Sequence, residues 1–213
     1  MAVLLPAINA RTEEEFLAHA RVLRDLGVPA AQVDISDGIF GVPRNFTSPD
    51  AVARELVGVA VDLHLMVRDI DTAVAAWKNL SPLRVTVHIE VLAHPAETFE
   101  QVRNAGSQCG LALGPHTPVE AVFPYLSQVD MLLFVAVPPG ASGQRFDPET
   151  IARVQTVRQQ QPELPIGVDG GITAERIPEL LAAGASTIVV ASAIFGASDP
   201  RAAYTTLKRL VEG

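Results

Sequence analysis

The segment Asp169-Gly170-Gly171 closes a short apolar run, Pro165–Val168, and Ala191-Ser192 follows a second such run, Thr187–Val190. An aspartate at a strand tip points a carboxylate into whatever cavity lies there. The two glycines beside it bare backbone N–H groups, which hold anions well. Ser192 adds both an N–H and a hydroxyl. Either motif alone also reads as a tight turn; on successive strands the two together point to anion binding. A second acid lies in Gln32-Val33-Asp34-Ile35-Ser36-Asp37-Gly38, where Gln32, Asp34 and Ser36 share one face of a strand. An aspartate in such a place costs several kcal/mol unless something pairs with it. Asp37-Gly38 reads instead as a loop cap. His64 shares its face with Asp62 and Met66 and stands level with the tip of the Asp34 strand. His88 and Glu90 end another strand in the same manner, and each histidine could equally be a satisfied core residue. Pro138–Phe146, rich in Gly, Pro and Ser, is either a lid or a plain loop. His19, His94 and His116 fall in helices or loops and receive no role.

Apolar runs that could carry these residues recur along the chain. Strands are expected near Val3–Ile8, Ala31–Ile35, Val59–Leu65, Arg84–His88, Gln108–Leu113, Met131–Val137, Pro165–Val168 and Thr187–Val190. Amphipathic helical segments fall between them: one starting at Thr12, one at Ser48-Pro49-Asp50, then Asp69–Trp77, Pro95–Ala105, Thr117–Tyr125, Asp147–Gln159, Thr173–Ala183 and Asp199–Val211. Thr12, Thr173 and Asp199 sit where N-caps belong, and Gly106 and Gly184 where helices stop. Strands and helices alternating in this number favour one closed (β/α)8 TIM barrel over residues 1–213, rather than an open doubly wound sheet. In such a barrel the carboxyl ends of the strands carry the chemistry, and the seventh and eighth ends favour phosphate.

Composition narrows the partners. The chain has 213 residues, 48% of them hydrophobic, with 16 Lys and Arg against 24 Asp and Glu, a net charge of −8. No basic cluster suggests nucleic acid, and no apolar run approaches the roughly 18 residues that a membrane span needs. A single cysteine, Cys109, allows no internal disulfide. The start lacks a basic region and is broken by Pro6, so no signal peptide is expected. A cytoplasmic location is the expectation.

Over almost its whole length the sequence resembles the ribulose-phosphate 3-epimerase family. The residues carrying the likeness are Val33-Asp34-Ile35-Ser36-Asp37-Gly38, Leu63-His64-Leu65-Met66-Val67, Val87-His88-Ile89-Glu90 and Gly110–Leu113. Further along they are Pro139-Gly140, Gly143–Phe146, Val168–Gly171 and Ser192–Gly196. The resemblance implies interconversion of ribulose 5-phosphate and xylulose 5-phosphate by proton transfer at C3 through an enediolate. Asp34 and Asp169 would be the catalytic pair on opposite faces of the carbon, because one carboxylate cannot reach both. It implies a sugar-phosphate substrate bound by Ala7, His64, Met66, Gly140, Ser142, Gly143, Gly170, Gly171, Ala191 and Ser192. It also implies a homo-oligomer and a divalent metal (Zn, Fe, Mn or Mg) held by Asp34, His64 and Asp169.

The chain departs from the family pattern at several places. Gln32 stands where a first metal histidine belongs, and an amide is a poor ligand for zinc, so weakened transition-metal binding or a preference for a hard ion is expected. Ser36 and Val135 replace methionines, Ala7 a serine, Pro138 an asparagine and Ala191 a glycine. Three readings remain: this epimerase with altered or absent metal, an epimerase or isomerase of another ketose phosphate, and a phosphate-binding barrel without turnover. Two retained buried aspartates argue against the last.

Overall fold

Eight parallel strands pair in chain order and close on themselves, β8 returning to β1. In the computed structural model, which describes residues 2–213, they are β1 (Val3–Ile8), β2 (Ala30–Ser36), β3 (Ala60–Met66), β4 (Arg84–His88), β5 (Gln108–Leu113), β6 (Met131–Val135), β7 (Ile166–Asp169) and β8 (Thr187–Val190). The helices are α1 (Glu13–Leu26), α2 (Pro49–Glu55), α3 (Ile70–Trp77), α4 (Pro95–Asn104), α5 (Glu149–Gln160), α6 (Ile177–Ala183), α7 (Ser192–Phe195) and α8 (Pro200–Glu212). This is the (β/α)8 TIM barrel that the alternation of elements implies. Among the described residues no helix is long and apolar enough to cross a membrane.

Side-chain alternation explains where the core sits. Val33 and Ile35 of β2, and Leu63 and Leu65 of β3, point outward into one large cluster beneath the helices. Helix α1 covers part of it with Phe16, Ala20 and Leu23, spaced along one helical face. Each such aliphatic or aromatic side chain stabilises the fold by roughly 1.5–3 kcal/mol when fully buried. The expected caps form: Thr12 Oγ1 accepts from Glu15 N at 3.2 Å, and Asp199 Oδ1 from Ala202 N at 3.0 Å. Ser48 caps α2 in the same way.

The lumen is divided chemically. Leu5, Ala7, Ala112, Met131, Leu133, Val135 and Val189 form a small inner apolar cluster. Strands β2, β3 and β4 instead bury Gln32, Asp34, Asp62, His64, Thr86 and His88. Gly167 makes room for the apolar half, since a Cβ there would lie 2.9 Å from Leu133 Cδ1. In the polar half Arg84 grips Asp62 Oδ2, while Asp62 Oδ1 has no partner among the described residues. Burial pushes the Asp62 carboxyl up despite the guanidinium beside it.

Three expectations need correction. The segment expected as a helix over Thr117–Tyr125 is a 3-10 helix, Val119–Gln128, because Pro124 inside it has no N–H to give. The sixth strand ends at Val135 rather than Val137, where the chain turns toward Pro138-Pro139. Thr173 makes no side-chain cap; a short 3-10 turn, Ala174–Arg176, separates it from α6.

The Asp62–Arg84 pair gives a stability prediction. Arg84→Met leaves a buried carboxylate uncompensated and should cost about 3 kcal/mol in denaturant unfolding. The double variant Asp62→Leu, Arg84→Met should recover most of that loss. A loss below about 1 kcal/mol for the single change would place the pair with ordinary surface ion pairs.

Candidate active site

The carboxyl ends of β2, β3 and β7 bring three of the expected residues together. Asp34 and His64 are cross-strand neighbours in register, and Asp169 is the last residue of β7, on the other side of β8 and β1. Each offers one atom, Asp34 and Asp169 a carboxylate oxygen and His64 a ring nitrogen, and these atoms lie within 4.8 Å of one another. Such a group could hold a metal ion. His64 Nδ1 is 3.1 Å from Asp34 Oδ1 and 3.7 Å from Asp169 Oδ2.

The fourth neighbour is Gln32, 1% exposed. Its Nε2 donates to Asp34 Oδ1 at 2.8 Å and to Asp169 Oδ2 at 2.7 Å, and it lies 3.4 Å from His64 Nδ1. Electrostatics favours this orientation, because the reversed amide would set Oε1 against two carboxylate oxygens. A divalent ion would need three ligand atoms at about 2.0–2.3 Å, and an amide nitrogen has no lone pair to offer it. Two of those atoms already accept hydrogen bonds from that nitrogen. As arranged, the donor set does not fit a divalent metal.

Burial and the Asp34 charge push Asp169 up to about 7, against the Gln32 hydrogen bond that acts the other way. Asp169 is therefore disposed to hold a proton near neutrality. Burial would lower His64, but its hydrogen bond to Asp34 and the surrounding carboxylates outweigh that and raise it. Burial lowers His88, which stacks on His64 with Nε2 facing Nε2 at 2.9 Å. One of those nitrogens must donate and the other accept. A neutral His88 that gives its Nδ1–H to Glu90, 3.1 Å away, receives the His64 Nε2–H. That leaves His64 Nδ1 facing Asp34 Oδ1 at 3.1 Å. His88 and Glu90 thus stand behind His64 rather than in the pocket.

Asp34, His64 and Asp169 line a cavity together with Met66, Gly140, Ser142, Gly143, Gly170, Gly171, Ala191 and Ser192. Ala7 lies outside it, fully buried in the inner apolar cluster beside Gln32 in register. Among the described residues no lysine or arginine lines the cavity. An anion there would rely on backbone N–H groups at the β7 turn and the start of α7. Gly171, at φ +65°, permits the close approach of the Pro138–Phe146 loop, because a Cβ would run into Phe146 N and lie 2.7 Å from Gln144 O. Gly140 touches the loop after β2, bridging to Val42.

Asn9 is a lining residue that the sequence reading passed over. Its Nδ2 donates to Gly140 O at 2.8 Å and so ties the loop to the end of β1. A polar residue immediately after an apolar strand was the available signal. Asp37, expected as a loop cap, is one: Oδ1 accepts from Ile39 N and Phe40 N, and Oδ2 from Arg68 N. Ser36 turns away from the cavity, its hydroxyl 2.5 Å from Gly41 O and 2.9 Å from Pro43 O.

Glu90 supplies a pH prediction. Partial burial would raise it, but hydrogen bonds from His88, Thr117 Oγ1 and Gly114 N override that and hold it at about 2, against an ordinary 4.5. The folded state therefore favours the ionised form. Its stabilisation is complete above pH 4.5 and fades as pH falls toward 2. Glu90→Gln should unfold at lower urea than wild type at pH 7, and the gap should narrow through that acid window. A gap that does not change with pH would contradict this assignment.

The model of the ribulose-phosphate 3 epimerase family matches residues 2–195. A ribulose-phosphate 3-epimerase of Mycobacterium leprae (strain TN) is 34% identical over 184 residues, covering 83% of this chain and 81% of that protein. The cytoplasmic isoform of Oryza sativa subsp. japonica is also 34% identical, covering 100% of this chain and 95% of its own. Among solved structures, 3-hexulose-6-phosphate synthase from Salmonella typhimurium superposes with a TM-score of 0.73 at 16% identity, covering 100% of this chain and 99% of that one. That last likeness shows the shared barrel.

Proposed function

The chain belongs to the ribulose-phosphate 3-epimerase family, and from that membership we propose that it interconverts ribulose 5-phosphate and xylulose 5-phosphate by proton transfer at C3. At the coarser level it is an isomerase, a sugar-phosphate epimerase like its named relatives. The observation that carries the finer reading is the meeting of Asp34 and Asp169 in one cavity with the Gly170-Gly171 and Ala191-Ser192 backbone. In this reading the phosphate sits on that backbone, with Ser192 adding its hydroxyl and Gly140, Ser142 and Gly143 closing from above. The sugar then lies between the two acids.

In the proposed step one carboxylate removes the C3 proton. The C–H electron pair moves into the C2–C3 bond, and the C2 carbonyl takes the negative charge as an enediolate. The other aspartate, holding a proton, delivers it to the opposite face of C3. The raised Asp169 supports this division, since a carboxyl that holds its proton near neutrality can serve as the acid. Met66 and the aliphatic Val135 wall the sugar end. A cytoplasmic location is consistent with the label of the Oryza relative.

A second reading is kept on one observation. Ser36 is turned out of the cavity and Val135 lines it, at two positions where the family resemblance places methionines. The sugar end therefore differs in shape, which suits an epimerase of another ketose phosphate. A binding barrel without turnover is disfavoured, because holding an anion does not require two carboxylates in a dry pocket.

In a coupled assay wild type should convert ribulose 5-phosphate. Asp34→Asn and Asp169→Asn should each lower kcat by about 10²–10⁴ while KM changes little, because the phosphate cradle is untouched. Full activity in either variant would remove that residue from the pair. Turnover of a different ketose phosphate, with ribulose 5-phosphate inert, would favour the second reading.

A further inference from the structure

Gln32 hydrogen-bonds both candidate acids, while His64 approaches them from the other side, at 3.1 Å from Asp34 and 3.7 Å from Asp169. The two N–H bonds of Gln32 go to different carboxylates, one on its own strand and one across the lumen on β7. The bond to Asp169 passes over β8 and β1, neither of which offers a polar side chain at that level: Val189 is apolar and Ala7 is a methyl group. Without it two buried acids would face each other with only His64 to one side. The ligand atoms that a cation would need converge on the nitrogen of this amide, at 2.7, 2.8 and 3.4 Å. An amide hydrogen carries partial positive charge, is directional and brings no net charge into a dry site.

We propose that the Gln32 amide stands in for a divalent cation, joining Asp34 to Asp169 through its two N–H groups so that the site works without bound metal. Gln32 is then a positioning residue. Both of its N–H groups are spent on carboxylates, so it fixes how the two acids stand relative to each other. The inference rests on the proton-transfer pair described above, but its decisive measurement does not require turnover.

The test begins with wild-type protein purified without chelator, analysed for metal and titrated with Co²⁺ while visible absorption is followed. Wild type should hold no stoichiometric metal and show no ligand-field bands. Gln32→His, which restores an imidazole ligand, should take up about one Co²⁺ or Zn²⁺ per chain and show tetrahedral bands. Stoichiometric metal in wild type overturns the proposal, and so does a Gln32→His variant that stays metal-free. In kinetics, wild-type kcat should survive exhaustive EDTA treatment. Gln32→Leu should lose about 10²-fold in kcat, the cost of misplaced catalytic groups, with KM within a few-fold, and circular dichroism should confirm that it folds. Loss of wild-type activity on chelation, or an unchanged kcat in a folded Gln32→Leu, overturns it as well. If Gln32→Leu does not fold, the metal measurements on wild type and Gln32→His still decide. Failure of wild type to turn over any ketose phosphate would count against the proposed reaction, while the metal titrations would still decide the role of Gln32.

Discussion

Two carboxylates at the dry mouth of a barrel need something between them. Asp34 and Asp169 come from strands on different sides of the lumen, and their burial raises the cost of charging both. The Gln32 amide answers that constraint from one side and His64 from the other. Most of the remaining local structure follows from keeping these four side chains in place. His88 fixes the far nitrogen of His64, Glu90 fixes His88, and Gly114 N and Thr117 fix Glu90. The chain of hydrogen bonds runs from the mouth to the loop after β5, and its members leave few rotamers open.

The barrel supports this by dividing its interior. The half lined by Leu5, Met131, Leu133 and Val189 is dry and apolar, while β2, β3 and β4 carry the polar column. Small residues permit the division: Gly167 admits Leu133 and Met131, and a Cβ at Gly110 would strike Thr86 Oγ1. Above, the β7 turn and the Pro138–Phe146 loop are in close contact because Gly171 has no side chain. Asn9 and Val42 hold the other flank of that loop. The cavity is thus walled by backbone at its anion-binding end and by side chains at its acid end.

Much of this was legible in the sequence. Strand periodicity put Asp34 on one face with Gln32 and Ser36, and His64 on one face with Asp62 and Met66; in the structure Asp34 and His64 line the cavity, while Val33, Ile35, Leu63 and Leu65 join the outer core. Position at strand ends singled out Asp169, Gly170, Gly171 and Ser192. What periodicity could not supply was direction. The family resemblance marks Gln32 as a substituted ligand position, but only three-dimensional proximity shows its NH₂ spanning two acids that lie far apart in the chain, one of them 137 residues from Gln32 itself. Pro124 escaped notice because helical spacing continues through it, although its missing N–H forces the tighter 3-10 winding. Asn9 escaped because one amide after a strand looks like any loop start. Ala7, placed at the substrate by resemblance, lies in the packed layer below the cavity.

The central claim is that two different carboxylates act on opposite faces of one carbon. The most direct measurement is the reaction of ribulose 5-phosphate in D₂O, followed by proton NMR from the first turnovers. Two acids exchanging with solvent should give xylulose 5-phosphate carrying one deuteron at C3 and none at other carbons. Product that keeps the original C3 proton would contradict the account, since it would mean that the group removing the proton also returns it.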